Sequence, residues 1–205
     1  MSINWINITQ RLQAISQAGL AYCKNEFDEE RYLELKKICA EIISNYTNQD
    51  FNTITDLLDV EEGYLTPKTD IRAVVFRENK ILMVKEKIDD KWSLPGGWAD
   101  VGFSPFEIAE KEVYEEAGIQ VRPLRLLAIF DKNKHAHPPH YHYVYKVFIL
   151  CEYIKGDIKP GTETSDVAYY GLNEIPDLSE PRITYEQIKT MFGFLEDPDK
   201  NALCD

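Results

Sequence analysis

Residues 96–119 read GGWADVGFSPFEIAEKEVYEEAGI. Glu112 and Glu116 stand one helical turn apart, with Glu115 beside them. On a helix of 3.6 residues per turn they point about 40° from each other. Two like charges so placed cost a helix roughly 0.2–0.5 kcal/mol, and more when half buried. A divalent cation removes that penalty, because Mg²⁺ takes carboxylate oxygens together with phosphate oxygens. An ion so held could bridge the pair to the phosphate oxygens of an anionic substrate. A solvated acidic helix face is the plainer alternative. The Gly96-Gly97 turn just upstream and the position of the pair at a helix–sheet seam weigh against it.

The helix that must carry these groups is well marked. Ser104 is an N-cap, Pro105 sits at the first helical position, and Glu107 lies three residues after the cap. Gly118 suits the C′ position, so the helix spans about 105–117. Phe106, Ala109, Val113 and Ala117 form the apolar stripe expected to face a sheet. Glu107, Glu110, Lys111 and Tyr114 fall on the opposite side, while Glu112 and Glu116 border the stripe.

Around this helix the texture is strand-like. IRAVVF and KILMVKE flank Arg77-Glu78-Asn79, which suits a hairpin, and WSLPGGW breaks into a Pro-Gly-Gly turn. Strands are expected at about 121–131, 141–153 and 166–171, with a turn at Gly156 to Gly161 and a last helix from Arg182 to Leu195. Residues 1–62 carry no strand signal. Helical spacing is visible at Leu12, Ile15 and Ala18 to Leu20, and again from Tyr32 to Tyr46 after an N-cap at Asp28. A third, short helix is expected at Thr53 to Val60, with Thr53 and Asp56 as its capping box, and Gly63 closes the part. Tyr64 to Asp70 reads as a linker. The expected architecture is α+β: a small all-helical N-terminal domain at 1–64, then a second domain at 65–205.

The segment 97–119 resembles the signature of the Nudix hydrolase family. The matches are Gly97, Glu112, Val113, Glu115, Glu116, Gly118 and Ile119; Phe103 stands where the family has Glu, and Lys111 where it has Arg. The resemblance implies a mixed β-sheet sandwiched between helices, and hydrolysis of a nucleoside diphosphate linked to another group X. It implies Mg²⁺ or Mn²⁺ held by Glu112 and Glu116, with Glu115 as a further ligand or support and the Gly96 carbonyl as an added ligand. The general base would be a signature Glu or one from a later loop. Glu163, in GTETSD, is the later-loop candidate, against the plain reading of a surface turn residue. Nudix proteins with a short helical N-terminal domain and an Arg-Ala first strand, matched here by Arg72-Ala73, are labelled ADP-ribose or CDP-choline pyrophosphatases. That would cleave CDP-choline to CMP and phosphocholine, or ADP-ribose to AMP and ribose 5-phosphate, and it places Arg72 among the substrate-binding residues.

All four histidines fall within eight residues, at 135, 137, 140 and 142. Their spacing matches no standard metal site. They read either as ordinary loop residues or as pocket-lining donors to phosphate with Lys132 and Lys134, His135 and His137 being the substrate-binding candidates. Trp98 could stack on a base or pack below the metal site. Tyr141, Tyr143 and Tyr145 alternate and are expected to fill one strand face.

Of 205 residues, 44% are hydrophobic and 28% charged, which is globular arithmetic. The net charge of −12 argues against a nucleic-acid-binding module, so action on RNA ends is possible but not favoured. It also means that the site must supply its own positive charge. No stretch is long enough for a membrane helix, and MSINWINITQRLQ shows no secretory pattern. The four scattered cysteines suggest buried thiols in a reducing cytoplasm. A non-catalytic nucleotide sensor on the same fold is the alternative from another class. The apolar surface of the N-terminal helices suggests a homodimer.

Overall fold

The computed structural model describes residues 5–60 and 63–205; the first four residues of the leader reading and Glu61-Glu62 lie outside the described residues. The chain divides into two compact units, one of residues 1–67 with 139–143, the other of 68–138 with 144–205.

The first unit holds α1 (Trp5–Tyr22), α2 (Glu26–Thr47) and α3 (Phe51–Asp59). Their shared core is small: Ile6, Ala40, Ile43, Ile54 and Leu58, with Phe51, Leu57 and Tyr141 packed against it. The caps sit earlier than expected. Asn25, not Asp28, caps α2 by accepting from the Asp28 N–H, and Asp50, not Thr53, caps α3 by accepting from the Thr53 N–H. The inward face of α1 also differs from expectation. Thr9, Gln10, Gln13, Ser16 and Gln17 are buried, whereas Ile15 is exposed. Three of them have side-chain partners: Thr9 Oγ1 donates to the Trp5 carbonyl (2.8 Å), Gln10 Nε2 donates to the carbonyls of His140 (2.8 Å) and His142 (3.1 Å), and Ser16 Oγ donates to the Tyr32 carbonyl (2.6 Å). Tyr141 therefore belongs to this helical unit and does not fill a strand face with Tyr145.

The second unit holds β1 (Lys68–Arg77), β2 (Lys80–Glu86), β3 (Trp92–Ser93), α4 (Pro105–Ala117), β4 (Gln120–Asp131), β5 (Val144–Lys155), β6 (Thr164–Tyr170), α5 (Tyr185–Glu196) and β7 (Leu203–Cys204). The expected linker thus ends at Pro67, and β5 begins three residues later than expected. The sheet runs β3-β2-β1-β5-β4-β7, with β6 also paired to β2. It is mixed: β1 runs parallel to β5 and antiparallel to β2. Glu78 and Asn79 both adopt positive φ (51° and 58°), the backbone of a tight hairpin turn between β1 and β2.

Alternation along the strands builds two cores. Ile71, Ala73 and Val75 face Ile108, Ala109, Val113 and Ala117 of α4. Val74, Ile81, Met83 and Phe148 face Ile188, Met191 and Phe192 of α5. The result is a mixed sheet between helices, as the family resemblance implies. Phe106 is 40% exposed, and Ile108 takes the place expected for it in the seam. Cys39 and Cys151 are buried and free, Cys23 is half-buried, and Cys204 is exposed, against the expectation that all four lie inside.

Candidate active site

The site begins with α4. The Ser104 side chain accepts from the Glu107 N–H, the Glu107 side chain accepts from the Ser104 N–H, and Gly118 ends the helix at φ 73°. With both ends fixed, Glu112, Glu115 and Glu116 project together toward the 159–163 segment. A cleft of about 570 Å³ is lined by these three and by Lys159, Gly161 and Glu163, among others.

The Gly96-Gly97 turn abuts the same carboxylates. Gly96 has φ 148°, and a Cβ there would lie 2.0 Å from the Ile71 carbonyl oxygen. Only glycine lets the turn come this close to β1. On either side the sheet consumes the carbonyls: Pro95 O accepts from Ala73 N–H and Gly97 O from Ile71 N–H, both at 2.8 Å. Among the described residues the Gly96 carbonyl takes no backbone donor. The Gly96 N–H donates to Glu116 Oε2 at 2.9 Å, and a Cβ on Gly97 would lie 2.8 Å from Glu112 Oε1.

Glu116 is only 7% exposed. Burial pushes its pKa up to about 8, with Arg72 and the Gly96 N–H opposing. Burial also raises Glu112, reinforced by the Glu115 charge. Among the described residues neither Glu112 nor Glu116 makes an ion pair. Glu115 is exposed, 3.9 Å from Lys111. The two departures from the signature meet each other: the Lys111 ammonium lies 5.7 Å from the Phe103 ring centroid while pairing with Asp100 at 2.9 Å. No three carboxylates, histidines or cysteines among the described residues converge as a ready-made metal cage. The donor set still fits Mg²⁺ or Mn²⁺, because such ions need only one or two carboxylates and fill their remaining positions with water and phosphate oxygen.

Glu163 is exposed and lines the same cleft. Its segment is tied to the helix and sheet. Thr164 Oγ1 donates to the Glu116 carbonyl (2.8 Å), Lys159 N–H to Ala117 O (3.0 Å), and Lys87 N–H to Glu163 O (3.0 Å).

The substrate-binding candidates are more scattered. Arg72 is 5% exposed. Its Nε donates to Asp70 Oδ1 (2.9 Å), and its Nη1 donates to Ser93 Oγ (3.1 Å) and Leu94 O (3.0 Å). It thereby grips the strand end that leads into the Gly-Gly turn. Trp98 is half exposed. His135 Nε2 lies 3.1 Å from Asp205 Oδ2, with its ring against Phe130 at 4.5 Å. His137 Nδ1 lies 2.6 Å from Glu180 O. Lys132 is buried, whereas Lys134 is exposed. The histidines divide between the units: His135 and His137 belong to the second, His140 and His142 to the first. Sequence reasoning missed Asp70, Lys146 and Glu86. Lys146, in YVYKVF, is fully buried and pairs with Asp70 across the β1–β5 register. A lysine inside an apolar strand run was the signal available.

Comparison with known proteins adds two family matches. The model described as "NUDIX domain" matches residues 66–191, and the one described as "UDP-X-like, N-terminal oligomerisation domain" matches residues 4–58. YjhB of Bacillus subtilis (strain 168), provisionally named as an ADP-ribose pyrophosphatase, is 47% identical over 201 residues, which is 98% of this chain and 97% of that one. The crystal structure of a UDP-X diphosphatase aligns with TM-score 0.64 at 32% identity, covering 98% of each chain. That of an ADP-ribose pyrophosphatase from Streptococcus suis 89-1591 aligns with TM-score 0.63 at 41% identity, covering 68% of this chain and 100% of that one.

Proposed function

The chain belongs to the Nudix hydrolase family, and from that premise we propose that it is a metal-dependent pyrophosphohydrolase that splits a nucleoside diphosphate linked to X into a nucleoside monophosphate and phosphorylated X. The observation that carries the reading is the pair Glu112 and Glu116: a half-buried and a buried carboxylate that make no ion pair among the described residues, one of them anchored by the Gly96 N–H, at the edge of an open cleft. Carboxylates in that setting need positive charge from outside the chain.

Glu112, Glu116 and the Gly96 carbonyl would hold the ion, with Glu115 nearby. A bound Mg²⁺ or Mn²⁺ supplies Lewis-acid neutralisation of the diphosphate and lowers the pKa of a bound water. The remaining work falls to the chain. Glu163, which lines the same cleft, would take the proton of the attacking water. As the water oxygen bonds to one phosphorus, the bridging P–O bond breaks, and the leaving phosphate keeps the bridging oxygen and its electron pair. Arg72 holds the Gly-Gly turn in register from behind.

The relatives' names support ADP-ribose and UDP-linked compounds as first candidates; CDP-choline is a candidate from the sequence resemblance alone. The match of residues 4–58 to an oligomerisation domain supports assembly through the N-terminal helices, which we read as a homodimer. The Phe103–Lys111 contact favours one other reading, a nucleotide sensor that binds without turnover.

A single assay separates the readings. Wild type and Glu116→Gln are given ADP-ribose, CDP-choline and UDP-sugars with Mg²⁺ or Mn²⁺, and the products are resolved by chromatography. Wild type should release nucleoside monophosphate, and the variant should lose at least about 100-fold in rate. Equal rates in the two would remove the catalytic assignment.

A further inference from the structure

Three strands of the second unit bring an excess of positive charge into the interior. Asp70 and Arg72 alternate with Ile71 and Ala73 along β1, so they leave the sheet on the side away from α4. Lys146 of β5 lies opposite Asp70 in the parallel register. Lys132 follows directly on β4, whose Asp131 pairs with Tyr145. Arg72, Lys132 and Lys146 are 5%, 5% and 0% exposed. Asp70 serves two of them, through Arg72 Nε at 2.9 Å and the Lys146 ammonium. Nearby Arg182 is already engaged by Glu86 (3.1 Å) and Asp89 (3.4 Å).

Lys132 is left over. Among the described residues it makes no ion pair and no side-chain hydrogen bond, although it is buried. A second polar atom there also lacks a partner. A carbonyl only accepts, so His137 Nδ1 must donate to Glu180 O, which leaves Nε2 as a bare acceptor. That atom is buried without a hydrogen-bond partner among the described residues. Burial of an uncompensated ammonium is costly. In a chain of net charge −12 it is also the local positive potential that an anionic substrate requires.

We propose that Lys132, with Lys146 and Arg72, forms an anion subsite for a phosphoryl group of the substrate, the one that departs with X. This rests on the pyrophosphohydrolase reading above. Arg72 links the two places, since the charges of both Asp70 and Glu116 act on it. His137 Nε2 would accept from a hydroxyl of X or of a monoprotonated phosphate.

The test needs neither turnover nor metal. The full chain, treated with EDTA, is titrated with inorganic phosphate in a calorimeter. Wild type should bind. Lys132→Met, which keeps the stem and removes the charge, should bind at least tenfold more weakly. Lys155→Met, exposed at the far end of β5, should bind like wild type. Removing a stranded charge should also leave the melting temperature of Lys132→Met at or above that of wild type. No phosphate binding by wild type overturns the proposal, as does equal binding by wild type and Lys132→Met or equal loss in Lys155→Met. A Lys132→Met variant that melts lower, or does not fold, assigns Lys132 a structural role and overturns it too. If wild type binds phosphate in this way yet hydrolyses no nucleotide, the fault lies with the enzymatic reading and not with the subsite.

Discussion

Glu116 and Lys132 carry opposite charges, and burial acts on both against the charged form. The consequences differ because their neighbours differ. In the metal-free protein the Glu116 carboxyl sits up at about 8, so at neutral pH it is mostly protonated and already resembles an amide. Glu116→Gln keeps an oxygen for the Gly96 N–H, and its metal-free fold should therefore be at least as stable as wild type in urea unfolding. Lost activity in that variant would then not be lost structure. Lys132 is depressed to about 8, chiefly by burial, with Arg72 and Arg182 adding and Asp70 opposing. Lys146, itself lowered by burial, and His137 also face the cluster. The unfolded lysine titrates near 10.4, so between pH 8 and 10 the unfolded state binds more protons. Stability from this group therefore rises with pH across that window. The advantage of Lys132→Met over wild type should be about 1–3 kcal/mol below pH 8 and shrink toward zero by pH 10. Urea unfolding across that range checks it, and a constant difference would show that the ammonium is not desolvated.

At the scale of elements, function depends on how α4 is held from both sides. The Gly-Gly turn presses on it from β1, and the 156–163 turn presses from its C-terminal end. A Cβ at Gly161 would lie 1.8 Å from the Glu115 carbonyl oxygen, so Gly161→Ala must push that turn off the helix. The expected cost is at least about 2 kcal/mol in chemical unfolding, with kcat reduced because Glu163 moves with the turn. A variant as stable and as active as wild type would mean that Glu163 needs no such anchoring. Elements of this kind differ in how far a sequence reveals them. The cap, Pro105 and Gly118 of α4 act within one turn of chain, so local spacing sufficed to place the helix and its carboxylates. Arg72 was different: it is held by Asp70 two residues away but also by Ser93 and Leu94 O, and Lys146 reaches the same aspartate from 76 residues on. Pairings of that range are set by sheet register, which periodicity does not encode. The four histidines show the converse. Adjacent in sequence, they fall into different units, because residues 139–143 are bound to α1 through Gln10.

At the scale of the whole molecule, the helical unit poses a stability problem that a second copy of the chain would solve. Among the described residues its core rests on five buried apolar side chains, and the inward face of α1 is largely polar. A unit of this size buries too little to be comfortable alone. Meanwhile Trp5, Ile15, Tyr22, Phe27, Leu33, Ile38 and Tyr46 stay exposed on its helices. On α2, Phe27 and Ile38 point about 20° apart and flank one open groove of about 760 Å³. An exposed apolar strip of this kind is the mark of a surface that is covered in an assembly. Sedimentation of wild type at micromolar concentration should therefore give about twice the chain mass of 23.8 kDa. Phe27→Glu with Ile38→Glu places charge on that strip without touching the buried Cys39, Ala40 and Ile43 on the inward face of α2. The double variant should sediment as a monomer with unchanged helix content by circular dichroism. If it remains a dimer, α2 is not the contact, and the exposed side chains of α1 become the surface to vary next. If wild type itself runs as a single chain, the apolar strip must be covered from within the chain, and the reading of the N-terminal helices as an assembly device is wrong.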